Sequence, residues 1–382
     1  MTCINLASKP KDQTYEMRLK QILEHIESIA PPSLQENYDN SGLITGHRDM
    51  EISGAVLCLD SVEEVIDEAI SLGYNLIIAH HPIVFSGLKR FNGSNYIQRV
   101  IIKAIKHDIA IYACHTNLDN VISGVNKEIC DRLGLENLEI LSPKSGQLTK
   151  LAVFVPDAAK EKVRSAIFEA GAGTIGDYSE CSFGVAGEGT FKAGVGADPF
   201  VGEIGERHAE SEHRLEVIVE NWRISRVIAA MTKAHPYEEV AYDLYPVQKS
   251  HQGIGSGMIG DLAQPMNTLD FLKQVKSAFK CDVIKHTDVF KDEVERIAVC
   301  GGSGSFLLND AIRAKADVFI TADYKYHQFF DADGSLVIAD IGHFESEQFT
   351  IDLFGRILRE KFPNFALHFT EINTNPVNYL VG

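Results

Sequence analysis

The stretch NLIIAHHPIVFSG, residues 75–87, runs from an apolar segment into two adjacent histidines and a proline. A helical pattern, VEEVIDEAISLG, precedes this stretch, and a second helical pattern, SNYIQRVIIKAIKHD, follows it. The short, wholly apolar segment between them is typical of a strand that is buried on both faces of a sheet. The alternation of strands and helices predicts an α/β fold with a mainly parallel sheet covered on both faces.

The same alternation extends to both sides of the opening stretch. Ile22, Ile26 and Ile29 recur at helical spacing, and two prolines at residues 31 and 32 predict the end of that helix. In SGAVLCLDSVEEVIDEAISLG a strand is followed by a helix, with Ser61 as the predicted N-cap and Gly73 as the predicted stop. Strand and helix patterns resume in the last third of the chain.

The pattern changes between residues 149 and 248. KLAVFVP, HRLEVIVE and EEVAYDLYPV predict strands, CSFGVAGEGTFKAG predicts a pair of short strands, and DAAKEKVRSAIFEAGAG and NWRISRVIAAMTKAHP predict helices. The order β-α-β-β-α-β is typical of a ferredoxin-like domain. We therefore expect two α/β halves, residues 1–148 and 249–382, that form one domain interrupted by an α+β insertion at residues 149–248.

Composition narrows the class of function. The chain has 382 residues, a hydrophobic content of 45% and a formal net charge of −17, which disfavours nucleic acid as a partner. No apolar run is long enough to cross a bilayer, and the N-terminus has no signal-peptide core, so we expect a cytoplasmic protein without a membrane partner. The seven cysteines lack metal-finger spacing and predict reduced thiols.

Residues with metal-binding side chains follow three apolar strands. His80 and His81 end the opening strand, Asp119 follows the strand IAIYAC, and His343 and Glu347 follow the strand LVIAD. Ligands in open α/β sheets gather beyond the carboxyl ends of the strands. Each motif taken singly also fits an ordinary turn or helix start. Their joint placement at strand ends favours a metal site.

The spacing of these residues favours two metal ions over one. His343 and Glu347 are four residues apart at a predicted helix start and so face the same way. Adjacent side chains such as His80 and His81 diverge in an extended chain, so each would serve a different ion. Imidazole and carboxylate ligands suit Zn²⁺, Mn²⁺ or Fe²⁺ better than Ca²⁺.

Two further motifs allow a structural and a functional interpretation. The glycine turn in CGGSGSFLLNDA, which starts at Cys300, could cradle an anion or could be a tight structural turn without the lysine of a P-loop. The segment AHPYEEVAYD contains His235, Glu238 and Glu239. We favour a structural role for it over a second metal site, because it lies at a predicted helix-to-strand junction.

Together, AHHPIVF, CHTNLD and GHFESE resemble the GTP cyclohydrolase 1 type 2 homologue family, also called the Ngg-one-interacting-factor-three-like proteins. YDNSGL, CGGSGS, ITADYKYH and NTNPVNYL extend the resemblance over both flanking parts. The middle region resembles the PII-like or CutA-like insertion of the longer members. Two positions depart from the family pattern, since tryptophan is common where Tyr38 stands and glycine where Ala322 stands. Neither is an expected ligand.

The resemblance implies a dinuclear site and an assembly. Members bind two divalent ions through residues that match His80, His81, Asp119, His343 and Glu347, and they form toroidal homohexamers built as trimers of dimers. A GTP-opening activity is attributed to some members.

We therefore expect a metal-dependent hydrolase acting on a nucleotide-like small molecule. In this hypothesis Glu347 bridges the two ions, and His115 and His327 are candidates for proton transfer, although both also fit ordinary turn or core histidines. The alternative is a non-catalytic metal-binding or regulatory toroid whose inserted domain senses a ligand or partner.

Overall fold

The computed structural model describes residues 17–380 of the chain. The N-terminal part contributes, in chain order, α1 (Leu19–Ile29), β1 (Gly42–Thr45), β2 (Ala55–Cys58), α2 (Glu63–Leu72), β3 (Leu76–Ala79), α3 (Tyr96–Lys106), β4 (Ala110–Ala113), α4 (Thr116–Asp119), α5 (Val125–Leu133) and β5 (Leu135–Pro143). The middle part contributes β6 (Leu148–Pro156), α6 (Lys160–Glu169), β7 (Ser182–Lys192), β8 (Arg207–Glu220), α7 (Ile224–Ala234) and β9 (Tyr242–Val247). The C-terminal part contributes β10 (Gly255–Asn267), α8 (Thr268–Ala278), β11 (Lys285–His286), β12 (Glu293–Ser303), α9 (Leu308–Arg313), β13 (Val318–Ala322), β14 (Val337–Asp340), α10 (His343–Glu347), α11 (Thr350–Lys361) and β15 (Leu367–Phe369).

The first sheet has the strand order β1-β4-β3-β2-β15. Its strands are parallel except β1, which runs antiparallel to β4. Alternate residues of each strand enter two different cores: Leu57 and Ile78 pack with α1 and α11, whereas Val56 and Ile77 pack with α2 and α3. Coverage of both faces explains why these strands are continuous apolar runs.

The second sheet has the strand order β11-β14-β13-β12-β10-β5. The strands β12, β13 and β14 are parallel, and the other pairings are antiparallel. The chain therefore forms two mixed sheets where the sequence predicted one mainly parallel sheet. Each sheet also takes a strand from the opposite flanking part, because β5 joins the second sheet and β15 joins the first. The two flanking parts consequently form one body.

The middle part has its own antiparallel sheet with the order β7-β8-β6-β9. The helices α6 and α7 cover one face, where Val153 and Val217 pack with Val163 and Met231. The observed order of elements is β-α-β-β-α-β, as the hydrophobic pattern indicated.

Two local predictions from the sequence were wrong. The segment predicted as two short strands is the single strand β7, because its glycines lie within a continuous pairing with β8. Ser61 is not an N-cap; α2 begins after Val62 without a side-chain cap, although it does end at Gly73 in the left-handed conformation. Within residues 17–380 no helix is both long and apolar enough to span a bilayer.

Candidate metal centre

The predicted ligands lie where the carboxyl ends of strands from both main sheets face each other. His80 and His81 directly follow β3, and Asp119 is the last residue of the short helix α4, which follows β4. His343 and Glu347 are the first and last residues of α10, which follows β14. The structure thus brings together all five residues, although they come from two different sheets and not from one.

Glu347 lies at the centre of the cluster. Its Oε1 is 3.8 Å from Nε2 of His80, and that nitrogen is 3.6 Å from Oδ1 of Asp119. Its Oε2 lies 3.0 Å from Nε2 of His81 and 3.1 Å from Nε2 of His343. The two carboxylate oxygens therefore face two different ligand sets, which is the geometry required of a bridging carboxylate.

The more deeply buried set has polar atoms without protein partners. His80 is fully buried and Glu347 is 3% exposed. The Nε2 atom of His80 and the Oδ1 atom of Asp119 are buried and have no hydrogen-bond partner among the described residues. Unsatisfied buried nitrogen and oxygen atoms are costly unless something binds between them. One candidate ligand atom each from His80, Asp119 and Glu347 lies within 4.8 Å of the other two, and His81, His343 and Glu347 form a second such group. The donor set therefore fits a pair of divalent cations.

Outer carboxylates fix the orientation of the two more exposed imidazoles. Nδ1 of His81 donates to Asp60 at 2.8 Å, and Nδ1 of His343 donates to Asp323 at 2.7 Å. Asp60 is in turn held by the hydroxyl of Thr374, at 2.8 Å. Because Nδ1 is engaged in this way, Nε2 of each ring is directed towards Glu347, as ligating histidines require.

The other two histidines of the cluster are held in the same way. Nδ1 of His80 donates to the carbonyl oxygen of Cys114 at 3.0 Å. Nδ1 of His115 donates to Asp39 at 2.8 Å, and Asp39 also accepts the hydroxyl proton of Ser41 at 2.9 Å. A ring nitrogen of His115 lies within 4.8 Å of ring nitrogens of His80 and His81, so His115 faces the same cavity.

Protonation of the metal-free cluster is strongly perturbed. Burial would lower the pKa of His81, but its hydrogen bonds to Asp60 and Glu347 raise it to about 9. Burial also opposes the positive charge on His343, yet Glu347 and Asp323 raise its pKa to about 11. Burial would raise the pKa of Glu347, but His343 and His80 hold it well below its ordinary value.

Asp119 shows the opposite behaviour. Burial and the negative charge of Glu347 raise its pKa to about 7. The carboxyl of Asp39 is also buried, but hydrogen bonds from His115 and Thr116 hold its pKa far below the ordinary value. Two neighbouring carboxyls with opposite shifts, next to cationic imidazoles, are typical of a functional site.

His327 is not part of this cluster. Its side chain is exposed and lies against Tyr326 and Phe330, with ring centroids 5.1 and 6.5 Å away. His235 holds the local backbone in place. Its Nε2 donates to the carbonyl of Phe154 at 3.0 Å, and its Nδ1 accepts the backbone N–H of Tyr237 at 3.1 Å. Both ring nitrogens are therefore occupied.

The sequence analysis missed the outer carboxylates Asp39, Asp60 and Asp323. A signal exists for two of them, since Asp60 comes two residues after β2 and Asp323 comes directly after β13. They thus follow the same rule of strand ends that identified the inner residues. Asp39 lies in a loop, and its position gives no comparable signal.

Comparisons with known proteins agree with this architecture. The family model described as Duf34/NIF3 (NGG1p interacting factor 3) matches residues 17–376. A Halalkalibacterium halodurans protein named GTP cyclohydrolase 1 type 2 homolog is 40% identical over 365 residues, which cover 94% of this chain and 98% of that protein. A Bacillus subtilis protein of the same name is 39% identical, with 94% and 98% covered.

Solved structures give the same answer. The structure of a Bacillus cereus protein related to NIF3 matches with a TM-score of 0.83 at 37% identity, covering 95% of this chain and 99% of that chain. A Staphylococcus aureus protein matches with a TM-score of 0.75 at 27% identity, covering 96% and 99%. The chain therefore belongs to the Duf34/NIF3 family, whose relatives include the GTP cyclohydrolase 1 type 2 homologues.

Proposed function

We propose that the chain is a hydrolase that holds two divalent metal ions, one between His80, Asp119 and Glu347 and one between His81, His343 and Glu347. The observation that carries this proposal is the position of Glu347, whose two oxygens face the two sets separately. Imidazole and carboxylate donors favour Zn²⁺, Mn²⁺ or Fe²⁺ as the ions. Three protein ligands per ion leave coordination positions for a reactant, as catalytic sites require.

The chain's own residues supply orientation and proton transfer. Ions held at this site would provide Lewis acidity, which lowers the pKa of water towards neutrality. The pair His115 and Asp39 resembles a general-base arrangement, because the carboxylate fixes the ring through Nδ1 and leaves Nε2 for proton exchange in the cavity. The hydroxyls of Ser41 and Thr116 also donate hydrogen bonds to Asp39. These bonds keep the Asp39 carboxylate and the His115 ring in one orientation.

The ligand assignment is tested by metal content. Glu347→Gln keeps the size of the side chain but removes the charge and one of the two acceptor oxygens, so we expect bound metal to fall to one equivalent per chain or less. Glu345→Gln is the matched control, because Glu345 lies on the same helix and is 7% exposed but faces Asn375. Two equivalents bound by the Glu347 variant would refute the dinuclear assignment.

The reaction class is tested by turnover. The metal-loaded chain is incubated with GTP, with a panel of phosphate esters and with cyclic amides, and products are followed by chromatography. We expect His115→Ala to keep its metal and to lose about two to four orders of magnitude in rate. His327→Ala, at an exposed histidine outside the cluster, should match the unaltered chain.

A non-catalytic metal-binding or regulatory role is the second candidate. It is favoured by the separate sheet of the middle part, which has its own core and contributes no residue to the metal cluster. Absence of turnover above the Glu347→Gln level on every compound would support this role.

The remaining expectations extend the proposal to the architecture. We assign residues 149–248 to an inserted PII-like, ferredoxin-like domain, supported by its order of elements and its sheet order β7-β8-β6-β9. We also propose a cytoplasmic homohexamer. Light scattering coupled to gel filtration should then give about six times the chain mass of 42.2 kDa. A monomeric mass would exclude the assembly.

A further inference from the structure

A cavity of about 1040 Å³ opens over the metal cluster, and its lining restricts what can bind there. This inference rests on the proposed function: we infer that the substrate's bound part is planar and carries no negative charge, such as a heterocyclic amide, and that the cavity does not recognise a phosphate chain. The nucleoside is thus the better ligand than its triphosphate.

The first observation is the charge of the lining. Seven carboxylates line the cavity, namely Glu36, Asp60, Asp119, Asp323, Asp340, Glu345 and Glu347. Among the described lining residues Lys285 is the only lysine or arginine, and it already pairs with Asp340 at 2.6 Å. Lys89 and Arg90, which follow the lining residue Leu88, are exposed and are not part of the lining.

Two divalent ions would not reverse this balance. Together with Lys285 they carry fewer positive charges than the seven carboxylates carry negative ones. One anionic group could still bind an ion directly. Each further phosphate would enter a field of its own sign, in a site partly shielded from water where repulsion is strong.

The second observation concerns the glycine turn after β12, which the sequence presents as a possible anion cradle. The N–H of Gly301 donates to Asn126 at 3.0 Å, and the N–H of Gly302 donates to Ser346 at 2.9 Å. The N–H of Gly304 donates to the hydroxyl of Thr321, also at 2.9 Å. These three N–H groups already donate to other groups of the protein, so they are not available to a phosphate group.

Gly302 in this turn allows close packing against the metal ligands. A Cβ atom on Gly302 would lie 2.5 Å from Oε1 of Glu347 and 3.1 Å from Cε1 of His343. Glycine at this position therefore lets the turn pack directly behind the metal ligands. The turn supports the cluster and does not bind an anion.

The third observation is a set of exposed aromatic rings on the cavity lining. Tyr38 is 69% exposed, Phe85 52%, Tyr96 55% and Phe306 64%. Phe85 also contacts His115 edge-on, with ring centroids 5.8 Å apart. Flat apolar faces beside a metal cluster suit a planar ring, because stacking does not depend on charge.

The test is a binding series on the metal-loaded full-length chain. Guanosine, GMP and GTP share one planar ring and differ only in phosphate number, and their dissociation constants are measured by calorimetry. Bound metal is quantified after each titration, since triphosphates chelate cations. We expect guanosine to bind at least as tightly as GTP. Tighter binding of GTP than of guanosine, or no measurable binding of guanosine at millimolar concentration, would overturn the inference.

Variants of the exposed aromatic residues on the cavity lining test whether a planar ring stacks there. Removal of one stacked ring costs about fivefold or more in affinity for a base, so Phe306→Ala and Tyr38→Ala should weaken guanosine binding by at least that factor. Phe330→Ala is the matched control, because Phe330 is 66% exposed and lies outside the lining. If the Phe306 and Tyr38 variants bound guanosine as tightly as the Phe330 variant, stacking on these rings would not contribute to binding.

Turnover measured on the same samples separates the two proposals. Guanosine that binds as expected but is never converted, with no other compound converted either, would sustain this inference and defeat the hydrolase assignment. Preferential binding and conversion of GTP would do the reverse.

Discussion

At the scale of single residues, the imidazoles of the cluster have one nitrogen fixed and the other directed inwards. Asp60 fixes His81, Asp323 fixes His343, and both contacts are shorter than 3 Å. Asp323 adopts a left-handed backbone with φ of 59°, a conformation that non-glycine residues rarely take. Metal affinity should therefore depend on carboxylates that never touch the metal.

Asp60→Asn tests this dependence. The amide accepts the His81 proton less strongly than a carboxylate does, so we expect metal affinity to fall by about 10- to 100-fold while both ions still bind at saturation. Affinity is measured by competition with a coloured chelator. Asp270→Asn, at a surface aspartate of α8 that is 64% exposed, is the control. Unchanged affinity in the Asp60 variant would mean that this carboxylate does not orient the ring.

The protonation of the two outer imidazoles predicts a pH dependence of metal binding. With a pKa of about 9 for His81 and about 11 for His343, both rings are protonated on both nitrogens and positively charged in the metal-free chain at pH 7. A metal ion needs the unprotonated nitrogen, so binding must release protons and apparent affinity must rise from pH 7 to pH 9. Calorimetry of Zn²⁺ binding in two buffers with different ionisation enthalpies measures the release. Buffer-independent enthalpies would contradict the expected protonation.

The inner residues could be predicted from sequence because each lies within a few residues after an unmistakable apolar strand. His80 and His81 follow four consecutive buried residues, and a histidine pair at that point is uncommon enough to notice. Asp60 and Asp323 also follow strands, but Asp39 lies in a loop and could not be singled out among the 53 aspartates and glutamates of the chain. Which of them contacts an imidazole is decided by tertiary packing.

At the scale of elements, β10 shows how sequence pattern can conceal a strand. Gly255, Gly257 and Gly260 make the segment look like a linker, yet it pairs with both β5 and β12. A Cβ atom on Gly255 would lie 2.3 Å from the carbonyl oxygen of Ser142. Glycine is needed here for close approach of the neighbouring strand, which lowers the strand signal at a central position of the sheet.

Gly255→Ala should therefore destabilise the chain. The added methyl group would also lie 2.5 Å from Cγ2 of Ile140, and relief of such contacts costs about 1 to 3 kcal/mol. We expect a lower melting temperature by scanning calorimetry. Gly187→Ala, within strand β7 and with no atom within 4 Å of the new methyl group, should leave it nearly unchanged. Equal melting temperatures for the two variants would show that β10 can shift without cost.

Helices and strands with strong periodicity were predictable, whereas their pairing was not. α3 lies within the predicted helical pattern SNYIQRVIIKAIKHD and begins after Asn95, whose side chain accepts the N–H of Gln98, whereas the predicted N-cap Ser61 was wrong. The exchange of β5 and β15 between the flanking parts depends on contacts more than 100 residues apart in the chain, such as Leu367 with Ala55. No local pattern encodes that pairing.

At the scale of the whole molecule, the two chain connections between the middle part and the main body lie side by side. Leu148 at the start of β6 pairs directly with Val247 at the end of β9. Lys144 donates its N–H to the carbonyl of Ile254 and accepts the N–H of His251, at 2.9 Å in both cases. The chain thus leaves and re-enters the main body through adjacent backbone segments.

This geometry predicts that the metal centre survives removal of the middle part. Paired residues of antiparallel strands have Cα atoms about 5 Å apart, so two glycines can replace residues 149–246 without strain. We expect the shortened chain to bind two metal ions per molecule, by elemental analysis. Its melting temperature should fall, because Trp222 packs against the first core and Glu220 accepts a hydrogen bond from His251 at 3.1 Å. If the shortened chain were folded by circular dichroism but bound neither ion, the middle part would be required for the geometry of the metal centre.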